Sequence, residues 1–307
     1  MTIRWYPGHM DKAIEKIAEA IRRTDVVIEV LDARLPSSSS NHLLEKVRRH
    51  KPCIKILNKN DLADPIVTKA WVRNFEAEAG VKALPLSAKQ LSDAKKLIKL
   101  CQQIVPHRGK PGWPLRVMVC GIPNVGKSTL INTLAGRSMA KVGDKPAITT
   151  CAQQIDLRNG IVLSDTPGVL WPVMDDQVGA YRLAASGAIG SGAFDVATVG
   201  LFAAEYMLRR YPEALALRYR LEELPEDPHA LLEAVGRRLG CLMAGGAIDH
   251  NRAAEAFLRE LRAGKVGRIS FEEPEQVVAD TEAHPAGDSP QEPTPLTTPM
   301  RLKPHKQ

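Results

Sequence analysis

The chain has 307 residues, a formal net charge of +7 and five scattered cysteines with neither a CxxC pair nor metal-ligand spacing. That length suggests two domains with ample core, and the cysteine usage excludes a disulfide scaffold and fits a reducing cytoplasm. Residues 1–20 lack an apolar signal core, and the longest uncharged stretch, Leu183 to Phe194, is too short and glycine-rich to span a bilayer, so no membrane partner is expected.

Along the chain, Asp11 to Thr24 places Ile14, Ile17, Ala18 and Ile21 at helical spacing, which predicts an amphipathic helix on a sheet. Val26 to Leu31 reads as a strand, and the loop after it carries Arg34 and Ser38, expected near a ligand. Cys53 to Leu57 is a second strand, ending in Asn58-Lys59-Asn60-Asp61. Ala83 to Leu86 leads to Ser87-Ala88-Lys89, and Leu115 to Cys120 leads to Gly121-Ile122-Pro123-Asn124-Val125-Gly126-Lys127-Ser128. Ser128 to Leu134 starts a helix, and Lys145 to Thr150 is a turn-rich loop. Ile161 to Ser164 precedes Asp165-Thr166-Pro167-Gly168. Six strand candidates alternate with helical stretches between residues 9 and 167, which predicts an α/β doubly wound sheet with ligands at the carboxyl ends of its strands. From Asp176 to Ala263 the strand signals stop, Pro212, Pro225 and Pro228 break the run, and Asn251 to Arg262 is a clear helix closed by Gly264. The expected division is a domain over 1–175, a small all-α domain over 176–271, and a disordered tail over 272–307 with seven prolines.

The loops carry a consistent chemistry. Gly121 to Ser128 fits G-x-x-x-x-G-K-[ST], whose glycines let successive backbone N–H groups face phosphate oxygens. Asn124, Val125, Gly126, Lys127, Ser128 and Thr129 would wrap the phosphates, with Lys127 on the β- and γ-phosphates, Ser128 on Mg²⁺ and the helix N-terminus adding its dipole. Asp165 would hold Mg²⁺ through water, Thr149 would complete the metal shell, and the Gly168 N–H would contact the γ-phosphate. At the other loop, the Asp61 carboxylate can accept both N1–H and the exocyclic amine of guanine, a pair adenine lacks. Asn58 would brace the loop, Lys59 would lay its stem over the ring, and Ser87-Ala88 would bring the Ala88 N–H to the guanine carbonyl. The ligand expected is therefore GTP. In ordinary GTPases the phosphate loop comes first; here it follows the guanine loop by some sixty residues.

This order is that of the circularly permuted GTPases, and the chain resembles the bacterial ribosome biogenesis GTPase A (YlqF/RbgA-like) family. The resemblance rests on Trp5-Tyr6-Pro7-Gly8-His9-Met10, Asp32-Ala33-Arg34-Leu35-Pro36, Asp165 to Pro172, Gly240-Cys241-Leu242-Met243 and Gly264 to Ile269, and covers roughly residues 1–272. It departs at Ala147, where many relatives carry Gly. It implies a P-loop NTPase fold, and GTP hydrolysis coupled to late assembly of the large ribosomal subunit; a cytoplasmic monomer is expected. It points to His9 as a catalytic residue beside Lys127, and to Asn124 as a potassium ligand. The two residues after Gly168 are Val169 and Leu170, neither able to orient a water, so slow hydrolysis in isolation and stimulation by the ribosomal subunit are expected.

Charge fits an RNA partner. The tail 272–307 holds seven acidic and three basic side chains, leaving +11 on residues 1–271. Arg237, Arg238, Lys265 and Arg268 would form either an rRNA-binding face or an ordinary solvated surface. The alternative function is a passive RNA-binding scaffold in which GTP only stabilises the fold.

Overall fold

The computed structural model describes residues 18–48, 50–136, 153–165 and 177–275. Six strands lie among them: β1 (Val26–Asp32), β2 (Cys53–Asn58), β3 (Val81–Pro85), β4 (Leu115–Cys120), β5 (Gln153–Asp156) and β6 (Ile161–Asp165). They form one sheet in the order β3-β2-β1-β4-β6-β5. All neighbours pair parallel except β5, an antiparallel edge on β6. The helices between strands are α1 (His42–Arg48), α2 (Pro65–Glu76), α3 (Leu91–Ile104) and α4 (Lys127–Ala135). The predicted helix before β1 is described from residue 18, where it is helical to residue 22.

β1 shows why this sheet is doubly wound. All seven of its residues are buried. Val26, Ile28 and Val30 join an apolar cluster with Leu97 and Cys101 of α3 and Leu130 and Ile131 of α4. Val27 and Leu31 join the opposite cluster, with Trp71 and Phe75 of α2. A strand buried on both faces needs a nearly continuous apolar run and helices on each side, as here. The thiols of Cys53 and Cys120 sit inside this core, and burial pushes the Cys53 thiol up to about 12, leaving it protonated and inert.

Beyond the sheet come α5 (Gln177–Ser186), α6 (Val196–Arg210), α7 (Pro212–Tyr219), α8 (Pro228–Leu239) and α9 (His250–Arg262). Pro212 and Pro228 open helices, because the first helical residue has no N–H to lose. The Asp227 carboxylate caps α8 by accepting from the N–H groups of His229 and Ala230. The apolar cluster on the α3–α4 side of the sheet continues into these helices through Leu183, Val199, Leu232 and Phe257 to Phe271. The helical part therefore shares a core with the sheet.

Packing also runs past residue 271, into the start of the expected tail. Glu272 is fully buried, its carboxylate accepts the Ser38 N–H at 3.0 Å and the Ser38 hydroxyl at 2.6 Å, and its carbonyl accepts the Trp71 Nε1–H at 3.1 Å. The loop after β1 has backbone donors that need an acceptor, and Glu272 supplies it. Ser38 is thus committed to Glu272. Residues 276–307 lie outside the described residues. No helix among the described residues is long and apolar enough to cross a membrane.

Candidate nucleotide site

The strand register gathers the predicted loops at one edge of the sheet. Asp32 lies opposite Asn58, and Asp165 lies opposite Val119, so residues 58–61, 121–128 and the end of β6 converge at the carboxyl ends of the strands. Asn58 joins three loops at once. Its Nδ2 donates to the Val125 carbonyl at 2.6 Å, and its Oδ1 accepts the Ala88 N–H at 2.8 Å. The buried Asn58 amide thus ties the guanine loop, the Ser87–Lys89 loop and the phosphate loop together. The Ala88 N–H, expected to face guanine, is engaged in this brace. The Thr133 hydroxyl of α4 holds the Ala88 carbonyl at 2.7 Å, and the Ser87 N–H donates to Asp93 at 3.1 Å.

Two glycines of the phosphate loop are there by necessity. Gly121 has φ +145°, and a Cβ on it would lie 2.4 Å from the Val30 carbonyl oxygen. Gly126 has φ +96°, and a Cβ there would lie 2.3 Å from Asn58 Nδ2, so any other residue would break the brace. Asn124 takes the left-handed region at φ 59°, a conformation Asn tolerates. α4 begins at Lys127, so Ser128 and Thr129 occupy its first turn and its free N–H groups face the loop. Lys127 is buried, with its ammonium donating to the Ile122 carbonyl at 2.8 Å, folded over the loop it serves.

On the base side, Asp61 is exposed at the loop tip. The backbone around it is held from a distant part of the chain. Arg268 donates to the carbonyls of Asn60 at 2.7 Å and Ala63 at 2.9 Å, and the Ile269 N–H donates to the Leu62 carbonyl at 2.9 Å. Lys59, at φ 61°, sends its ammonium to Asp32 Oδ2 at 2.8 Å. Arg34 is also held by Asp32, with Nε 2.9 Å from Oδ1 and Nη2 2.7 Å from Oδ2. Burial alone would raise the Asp32 carboxyl, but Arg34 and then Lys59 overcome it and hold the group well below the usual carboxylate range. Arg34, expected to approach the ligand, is instead a buried anchor. Burial disfavours its charge, yet Asp32, and beyond it Asp61, keep the guanidinium protonated.

Sequence reasoning missed one further meeting point, the last turn of α5. The Ala184 and Ala185 carbonyls accept from Arg262 at 2.8 and 3.0 Å, and the Ser186 carbonyl accepts from Arg34 at 3.2 Å. The Gly187 carbonyl accepts from Asn124 of the phosphate loop at 3.2 Å. Carbonyls at a helix C-terminus lack partners within the helix and favour cations, so three donors from three parts of the chain meet there. His9, Thr149 and Gly168, and the side chain of Asp165, lie outside the described residues. Of the expected Mg²⁺ ligands, Ser128 is described, half-buried in the first turn of α4, where a hydroxyl suits a hard cation.

A family model described as "50S ribosome-binding GTPase" matches residues 116–198. Its match begins in β4, downstream of Asn58–Asp61, in keeping with the permuted order. Ribosome biogenesis GTPase A of Bacillus cereus is 43% identical over 283 residues, covering 90% of this chain and 95% of that protein. The chain belongs to the ribosome biogenesis GTPase A family. The Thermotoga maritima member is 32% identical over 283 residues, covering 89% of this chain and 95% of that protein. Among solved structures, GDP-bound YlqF aligns with a TM-score of 0.62 at 29% identity, over 85% of this chain and 99% of that one. GNP-bound YlqF from T. maritima aligns with a TM-score of 0.60 at 30% identity, over 86% and 99%. As a ribosome biogenesis GTPase A, the chain carries a circularly permuted GTPase fold, GTP binding and hydrolysis, and a role in ribosome assembly.

Proposed function

We propose that this GTPase is an assembly switch for the large ribosomal subunit: it binds the subunit precursor through rRNA in its GTP state and lets go after hydrolysis. The observation that supports a switch is the C-terminal end of α5, where Arg262 of the last helix holds the Ala184 and Ala185 carbonyls and Asn124 of the phosphate loop holds that of Gly187 just beyond. A change at the phosphates that draws on Asn124 would be felt by a helix packed into the helical part.

In this reading Asp61 accepts the two guanine donors and Asn58 keeps the three loops in register. Lys59 covers the base, with Ser87 and Ala88 behind it. The N–H groups from Asn124 to Thr129 wrap the phosphates, Lys127 offsets charge on the β- and γ-phosphates, and the Gly168 N–H feels the γ-phosphate. Mg²⁺, held by Ser128, Thr149 and, through water, Asp165, would supply charge neutralisation at the phosphates. Asn124 donates through Nδ2, which leaves its Oδ1 to ligate a potassium ion. Val169 and Leu170 cannot orient water, so His9 acts on it once the subunit has placed the N-terminal segment. His9→Ala is expected to keep GTP binding and to lower subunit-stimulated turnover; equal turnover in mutant and parent removes His9 from the mechanism.

The deciding experiment is co-sedimentation with separated ribosomal subunits in GDP and in a non-hydrolysable GTP analogue. Pelleting with the large subunit in the analogue alone supports the switch. Pelleting indifferent to nucleotide supports the passive scaffold, and pelleting with the small subunit overturns the choice of target.

A further inference from the structure

Three of the four cations singled out in the helical part are already engaged, so they do not make a basic face. Arg237 pairs with Glu233 at 2.9 Å, Lys265 pairs with Glu260 at 3.6 Å, and Arg268 is spent on the carbonyls of the guanine loop. Residues 177–275 hold 12 basic side chains against 14 acidic ones, whereas residues 1–176 hold 27 against 17. The positive charge therefore belongs to the GTPase part, and the surface that meets a polyanion is to be sought there.

We propose that the edge of the sheet opposite the nucleotide, centred on Trp113, is an RNA-docking surface: a base stacks on the indole while Lys110, Arg116 and Arg158 take phosphates. This rests on the reading that the partner is a ribosomal RNA particle. Trp113 is 64% exposed, although a large aromatic ring is normally covered. It lies in the segment joining α3 to β4, the connection between guanine half and phosphate half that the permuted order requires.

That segment is fixed before any partner arrives. The Gly109 N–H donates to the Trp113 carbonyl and the Trp113 N–H to the Lys110 carbonyl, both at 2.9 Å. The Gly109 backbone packs so closely on Gly160, in the β5–β6 turn, that a Cβ on Gly160 would lie 2.4 Å from the Gly109 carbonyl oxygen. The Leu115 N–H donates to the Gly160 carbonyl at 2.8 Å, which brings exposed Arg158 of that turn beside the Trp113 segment. Arg116 is exposed at the second position of β4. The Arg108 guanidinium lies 5.5 Å from the Trp113 ring centroid, and Asp25 holds it at 3.4 Å. Asp156 accepts the backbone N–H of Arg158 at 2.8 Å. A rigid exposed indole among cations is the arrangement on which unstacked RNA bases are held. Its place at the amino ends of the strands leaves the nucleotide edge unobstructed, so both sites can be filled together.

The test uses the full chain with a non-hydrolysable GTP analogue and, separately, with GDP, binding to large subunits and to protein-free large-subunit rRNA over a range of salt. Trp113→Ala is expected to weaken rRNA binding about tenfold, and Trp113→Phe to recover most of it. Lys110→Gln with Arg158→Gln should lower the slope of log affinity against log salt by about one unit for each phosphate no longer neutralised. GTP affinity and melting temperature should match the parent in all three variants. Parental affinity and salt slope in the variants would overturn the surface. A loss seen on subunits but not on protein-free rRNA would overturn it in favour of a ribosomal protein. If the parent binds rRNA without regard to nucleotide while Trp113→Ala still weakens it, the switch reading fails and the surface stands.

Discussion

The two halves of the nucleotide site are built differently. The guanine half is fastened by side chains from far along the chain: Arg268 on the carbonyls of Asn60 and Ala63, Asp32 on Lys59, and Tyr211 on Asp64 at 3.3 Å. The phosphate half is shaped by its own backbone, with glycines at positive φ and a helix N-terminus, and Asn124 donates to the Gly187 carbonyl of the helical part beside the apolar cluster that Val125 and Leu130 share with Leu183. Several hydrogen bonds clamp the helical part to the base side, while on the phosphate side the Asn124 hydrogen bond is of modest worth.

Mutations test this contrast. The largest effect is expected from Asp32→Asn, which takes from buried Arg34 its directly paired carboxylate and should cost about 3–5 kcal/mol of stability. The Asp32 carboxyl is depressed in the folded state, so the folded chain holds this proton less tightly than the unfolded one. Its stabilisation is complete above the unfolded value near 3.8 and is lost as pH falls below it. Urea unfolding at a series of pH values should therefore show the parent losing stability on acidification more steeply than Asp32→Asn; parallel curves would remove Asp32 from the anchor.

Gly126→Ala comes next. Strain at φ +96° and the clash with Asn58 should cost about 3 kcal/mol at the loop, or roughly a hundredfold in GTP affinity by calorimetry. Retained affinity would show that the loops do not depend on the Asn58 brace. Arg268→Ala should weaken GTP and GDP alike, by about tenfold, because it loosens the base side that both nucleotides share. Asn124→Ala should have the smallest effect, about threefold, but on GTP more than on GDP. If both variants shift the GTP-to-GDP affinity ratio equally, the distinction between a clamped half and a responsive half is lost.

Much of the site was legible in the sequence because its chemistry is local. A strand buried on both faces must be an apolar run, and a loop turn with no room for a Cβ needs glycine, so Gly121 to Ser128 and the strand ends before Asn58 and Ser87 could be placed residue by residue. The reversed order of the loops is likewise a property of the chain. What needed the tertiary structure are the pairings with no local signature. Arg268 lies 208 residues from Asn60, and Ser38 lies 234 residues from Glu272. A charged side chain near a loop reads the same in sequence whether it faces solvent, RNA or a buried carbonyl. Only the docking of the helices on the sheet decides which acceptor stands opposite. Residue types and loop order thus determined what is bound, and packing decided which residues hold the site still and which are left to respond.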